Sequence, residues 1–379
     1  MQNHQIKLQK FGWEGDSSLG LSDFVDDEPL VQTFCRDLVC FLCFRSSVHI
    51  KRTKEHTKVS DLAMQYLILL VALAGIVFGA DYLVAGSVSI ARKYRVSDFV
   101  IGAAIVGVGT SMPELVVSFL GALQGNADVA IGNIVGSNIF NILGILGLTA
   151  IMFPITVTKV NMRFELPVCI GVSVLLTLMV FNPIKDNDLV ISRVDGLILL
   201  LLFALYMWYS FYRDRRHRKV ADIDIKADKI PLWKAIVSVV GGLAVLIVSC
   251  DIFVDNAVEI AKSFGVSDAF ISLTLIACGT SLPELAASVA AAFKKNTQLA
   301  LGNIIGSNIF NITWILGLSA QVMPLNTSGI TRIDYIVMVV AAMLPLVFGI
   351  KHKIGRLSGF IMLTSFILYT IYLLKSQVG

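Results

Sequence analysis

After about residue 65 the chain falls into apolar runs near 20 residues long, separated by short polar loops. Runs of that length cross the roughly 30 Å hydrocarbon core of a bilayer as helices. The pattern predicts spans at about 65–90, 98–122, 128–152, 165–182, 193–212, 233–258, 268–292, 298–320, 332–350 and 357–375. The expected fold is therefore an all-α membrane protein with ten transmembrane helices. Several runs are rich in Gly, Ser and Asn, which a lipid-facing helix does not need. Residues 1–63 are different: polar, mixed in charge, with one short apolar stretch around Leu38–Phe44. They read as an N-terminal extension without a span or secretory signal, either disordered or upstream of a true start at Met64.

Composition agrees. The chain is 56% hydrophobic and 15% charged, against about 25% charged in soluble domains. The net charge of +4 gives no signal for nucleic acid, because the basic residues alternate between loops. Arg92, Lys93 and Arg95 follow the first span, Lys159 and Arg163 the third, Arg213–Lys219 the fifth, Lys294 and Lys295 the seventh, and Lys351, Lys353 and Arg356 the ninth. The positive-inside tendency puts these loops in the cytoplasm and both ends of the ten-span core outside it. Basic residues of the extension oppose that orientation. Cys35, Cys40 and Cys43 lie near His49 and His56, but their spacing fits no common zinc pattern. Cys169, Cys250 and Cys278 read as small hydrophobes.

Residues 76–148 align with 246–318 at a constant offset of 170, with 33 identities in 73 positions. GTSMPEL (109–115) and GNIVGSNIFNILGILGL (132–148) recur as GTSLPEL (279–285) and GNIIGSNIFNITWILGL (302–318). The matching motifs lie five spans apart, so their helices cross in opposite directions. This predicts two inverted repeats of five helices, 64–212 and 233–379, joined by a basic linker at 213–232. Secondary transporters with this architecture hold their substrate at the repeat interface.

Glu114 and Glu284 fall mid-span, where an ionised side chain costs about 3 kcal/mol or more and normally serves function. Thr110 and Thr280 precede them by four residues, on the same helix face. Pro113 and Pro283 have no N–H, so the carbonyls of Gly109 and Gly279 lose a helical partner. Each motif thus gathers a carboxylate, a hydroxyl and a carbonyl, hard oxygen ligands of the kind calcium and sodium take. Asn133, Ser137 and Asn141, and Asn303, Ser307 and Asn311, add oxygens at four-residue spacing. Ser137, Asn141, Ser307 and Asn311 read as ion-facing. Asn133, Asn138, Asn303 and Asn308 read as interhelical hydrogen-bonders. Gly132 with Gly136, and Gly302 with Gly306, form small-xxx-small steps for close helix packing. Asp81 and Asp251 read as structural; Ser97–Asp98 and Ser267–Asp268 read as helix N-caps.

At GTSMPE with GNIVGSNIFN, and GTSLPE with GNIIGSNIFN, the chain resembles the sodium/calcium exchanger family of calcium/cation antiporters, in its minimal prokaryotic form, over about residues 64–379. The resemblance implies calcium between Glu114 and Glu284, assisted by Thr110 and Thr280. It implies sodium sites that add Ser111, Ser137, Asn141, the Ala277 carbonyl, Ser281, Ser307 and Asn311, and a first and sixth helix that slide over the rest. Position 311 is Asn where some relatives carry Asp, an acid tied to potassium use, which puts potassium dependence in doubt. The partners implied are sodium and calcium ions and the lipid bilayer of a prokaryotic cell membrane, with no cofactor and no enzymatic step.

Two negative charges can be balanced by one calcium or by several sodium ions, which predicts an antiporter working by competition. The rival readings are a proton/calcium antiporter, a potassium-dependent exchanger, a passive cation channel and an intramembrane serine protease. The last needs a base beside Ser111 or Ser281, and all five histidines lie outside the spans.

Overall fold

The computed structural model describes residues 58–181, 190–218, 231–263, 277–327 and 330–378. The extension up to residue 57, with its Cys and His cluster, lies outside the described residues, as does the Ser267–Asp268 cap. The helices are α1 (Lys58–Tyr94), α2 (Asp98–Thr110), α3 (Met112–Leu123), α4 (Ala127–Met152), α5 (Asn161–Val180), α6 (Arg193–Arg218), α7 (Leu232–Ser263), the single turn α8 (Ala277–Gly279), α9 (Leu282–Phe293), α10 (Thr297–Val322), α11 (Arg332–Phe348) and α12 (Arg356–Val378). Among the described residues eight helices are long and apolar enough to cross a membrane, and nine if α2 and α3 form one bent span. The seventh predicted span appears as α8 and α9, its first part at 264–276 lying outside the described residues.

Several expectations shift. The second predicted span is broken: α2 and α3 meet at Ser111 with a bend of 50°, because Pro113 sits in the first turn of α3 and cannot continue the ladder. Helix α1 starts at Lys58, inside the segment read as extension, and α6 runs on to Arg218, into the segment read as linker. Helices need not stop at the bilayer surface, since polar side chains at their ends reach water. Ser97 caps α2 by accepting from the Val100 N–H at 3.3 Å, with Asp98 in the first turn.

Helices α4 and α10 form the centre. In their most apolar stretches 78% and 94% of residues are buried, against 28% in both α1 and α7 and 11% in α12. The C-terminal end of α4 leads into β1 (Ile155–Thr156), where Thr156 bonds Thr297 and Gln298 at the start of α10. The two central helices therefore run in opposite directions. β1 pairs antiparallel with β4 (Lys353–Ile354), and β2 (Val190–Ile191) with β3 (Leu325–Asn326), so each two-stranded sheet joins the first half of the chain to the second.

Glycine sets the contact of α2 with α10. A Cβ at Gly302 would collide with the Phe99 carbonyl, and one at Gly306 with Ala103. Gly132 and Gly136 make no such approach to described backbone. Asp81 on α1 pairs with Lys294 beyond α9, at 2.6 Å.

Gly302→Val should push α2 off α10 and lower the thermal unfolding midpoint in detergent. The same change at Gly136 should cost much less. Equal effects at the two positions would show that the close α2–α10 contact does not limit stability.

Candidate ion site

The site begins with two helix restarts. At Ser111 (φ −81°, ψ 11°) and Ser281 (φ −92°, ψ 8°) the backbone leaves helical geometry, and α3 and α9 then begin, each with a proline in the first turn. Glu114 and Glu284 lie in those first turns. The partial positive charge of a helix N-terminus favours a carboxylate there. Both glutamates are fully buried.

The two motifs interlock. Ser281 donates to Glu114 Oε1 at 2.8 Å, and Ser111 donates to Glu284 Oε1 at 2.8 Å. Each serine thus serves the glutamate of the other repeat. Ser137 also donates to Glu114 Oε1, at 3.3 Å, and lies 2.9 Å from Ser281 Oγ. Asn311 Nδ2 donates to Ser137 Oγ at 3.3 Å and to Asn138 Oδ1 at 3.0 Å.

A second ring holds the glutamate backbones. Asn133 donates to the Glu114 carbonyl at 3.2 Å and to Ser118 at 2.9 Å. Asn303 donates to the Glu284 carbonyl at 3.1 Å and to Ser288 at 2.8 Å. These asparagines are spent on holding the chain, as the sequence reading has it. Asn138 and Asn308 also bond each other's carbonyls, at 3.2 and 3.1 Å.

The remaining sequence-named residues divide. Thr110 turns to Asn303 Oδ1 at 3.2 Å and the Gly107 carbonyl at 3.4 Å, and Ser307 donates to the same carbonyl at 3.2 Å. Thr280 Oγ1 and both amide atoms of Asn141 are buried without a hydrogen-bond partner. Ala277 opens the turn α8. The Gly107 carbonyl was missed, although Gly107 is the counterpart of Ala277 at the offset of 170. Asn141 and Asn311 fall within wide-turn π-helical segments, Phe140–Leu146 and Asn311–Ile315, a distortion frequent at functional sites.

The chemistry follows from what is left over. Glu114 Oε2, Glu284 Oε2, Asn141 Oδ1, Asn308 Oδ1, Asn311 Oδ1 and Thr280 Oγ1 are buried oxygens with no hydrogen-bond partner among the described residues. Among the described residues neither glutamate pairs with Lys or Arg, and no group of three His, Cys, Asp or Glu side chains forms. Two carboxylates ringed by neutral oxygens suit hard cations rather than zinc or copper.

A mostly helical membrane protein with this oxygen-lined centre belongs to the class of ion transporters, and comparison with known proteins gives the family. Residues 64–212 and 234–375 match the family described as "Sodium/calcium exchanger protein", and the chain belongs to it. It is a multi-pass integral membrane protein of a transporter family, not of an enzyme class. It is 40% identical to the putative antiporter CaxA of Alkalimonas amylolytica, over 82% of this chain and 98% of that protein. It is 30% identical to the sodium/calcium exchanger MaX1 of Methanosarcina acetivorans, over 82% and 99% of the two chains. Its fold matches the solved sodium-calcium exchanger NCX_Mj with a TM-score of 0.71 and 33% identity, over 82% of this chain and 99% of that one.

Asn303→Leu should leave the Glu284 carbonyl, Ser288 and Thr110 each short of a bond inside the protein. A loss of about 1–3 kcal/mol per unsatisfied buried group is expected. Thermal unfolding would read it, and an unchanged midpoint would contradict the holding role.

Proposed function

We propose that this chain exchanges sodium for calcium by alternating access, with ten transmembrane helices in two inverted repeats, 64–212 and 233–379, joined by the linker at 213–232. Calcium binds between Glu114 and Glu284, with Thr110 and Thr280 turning their hydroxyls to it. Sodium ions take the same carboxylates together with Ser111, Ser137, Asn141, the Ala277 carbonyl, Ser281, Ser307 and Asn311. The observation that carries this reading is the pair of fully buried carboxylates, one from each matching motif, with no basic partner among the described residues and with one free oxygen each.

Coupling follows from charge. An empty or half-filled site leaves uncompensated charge in a low-dielectric interior, which is costly. A site holding one calcium, or several sodium ions, is balanced and is free to change its exposure. Each filled form therefore favours reorientation, and each partly filled form resists it. Sodium moving down its gradient then drives calcium the other way across a prokaryotic cell membrane.

Calcium uptake into sodium-loaded vesicles is the direct test. Wild type should take up calcium in proportion to the sodium gradient, and Glu114→Gln or Glu284→Gln should abolish uptake while the protein still inserts. Near-normal exchange in both variants would remove the site assignment. Uptake driven equally well by a pH gradient without sodium would favour proton/calcium antiport.

Position 311 bears on potassium. Asn311 is neutral, so the site holds two acids rather than three, and exchange should run without potassium. Asn311→Asp should tighten cation binding and slow return of the emptied carrier. A wild-type protein silent until potassium is added would overturn this expectation.

A further inference from the structure

Some hydrogen bonds around the site repeat at the 170-residue offset, as those of Asn133 and Asn303 do, and others occur in one half only, as those of Thr110, Ser137 and Asn311 do. Asn138 and Asn308 exchange bonds with each other's carbonyls. One helical turn further on, Asn311 Nδ2 donates to Asn138 Oδ1 at 3.0 Å. The counterpart bond would run from Asn141 Nδ2 to Asn308 Oδ1. It is not made, and both of those buried atoms are without a partner. Asn308 Oδ1 is nevertheless held in place, because its own Nδ2 is tied to the Asn138 carbonyl.

A side-chain amide has a donor end and an acceptor end. Tying the Nδ2 of Asn311 fixes which way its Oδ1 points, and that oxygen is buried and unpartnered. With neither end of its amide bonded, Asn141 lacks this constraint. Asn138 thus does for Asn311 what Asn308 is placed to do for Asn141.

We propose that Asn138 and Asn308 are positioning residues of the transport cycle: each orients the ion-facing amide of the other repeat, and the two orienting bonds alternate with the side of the membrane to which the site is open. The inference rests on the alternating-access reading above. In a carrier built of inverted repeats the two facing states arise by exchanging the arrangements of the halves. A bond present in one half only is then expected to change halves when the carrier turns. The Asn311–Asn138 bond belongs to the state described here, and an Asn141–Asn308 bond to the other.

The test is the apparent calcium affinity of reconstituted protein, measured separately at each membrane face, for wild type, Asn138→Ala and Asn308→Ala. Each variant should weaken affinity on the order of five-fold at one face and little at the other, as for one lost orienting hydrogen bond, and the affected faces should be opposite. A purely structural role, as glue where α4 crosses α10, predicts lower unfolding midpoints and equal losses at both faces. Equal losses, or both variants acting at the same face, would overturn the proposal. If an alanine variant fails to fold, serine at the same position, polar but too short to reach the neighbouring amide, is read the same way. Calcium transport that proves independent of sodium would overturn the coupling ion proposed above but leave the two-face comparison intact.

Discussion

Two buried carboxylates with no basic partner among the described residues are the constraint around which the rest is arranged. A charge at that depth is tolerated only if the surroundings keep answering it. The answers come from several levels of structure. Ser111 and Ser281 donate across the repeat boundary, the N-termini of α3 and α9 point at the acids, and Asn133 and Asn303 hold the glutamate backbones. The burial of α4 and α10 shuts out the water that would otherwise do the same work. That burial in turn needs glycine at 302 and 306, so that α2 can approach α10 closely enough.

The sequence exposed the parts of this arrangement that rest on unusual chemistry. Glu114 and Glu284 were legible because an acid in an apolar run has few innocent explanations, and the repeat was legible because Gly, Pro, Asn and Glu recur at one offset. The holding role of Asn133 and Asn303 could also be read, since an asparagine facing a neighbouring helix bonds whatever backbone it meets. The break at Ser111 was less plain: Pro113 announces a freed carbonyl, but a bend of 50° depends on how α2 and α3 pack. The exchange of serines between repeats was not legible, because it depends on the two motifs meeting face to face. The Gly107 carbonyl was hidden for another reason, being a backbone atom of a residue that differs from its counterpart, Ala277. Asymmetry lies beyond any repeat, since a sequence that matches itself cannot say which half holds which arrangement.

Burial also separates the two central helices from the outer ones. α4 and α10 have their surfaces covered by protein, whereas α1 and α7 turn much of theirs outward, including Leu70, Val77 and Phe78 on α1 and Val237, Val240 and Val248 on α7. In a bilayer such exposure costs little, because lipid is as apolar as the side chains. The Asp81–Lys294 pair, with its side chains 57% and 33% exposed, adds only a weak restraint on α1.

The small sheets change how the two halves are to be regarded. β1 joins β4 and β2 joins β3, so each half lends a strand to the other at two separate places, while α2 and α10 close the middle. The halves are laced together, and neither presents a finished surface alone. Sliding one whole half past the other would tear ladders and prise open the glycine contact at the same time. Displacing α1 and α7 disturbs neither sheet. The two halves are thus bound to each other at three places, and α1 and α7 take no part in either ladder.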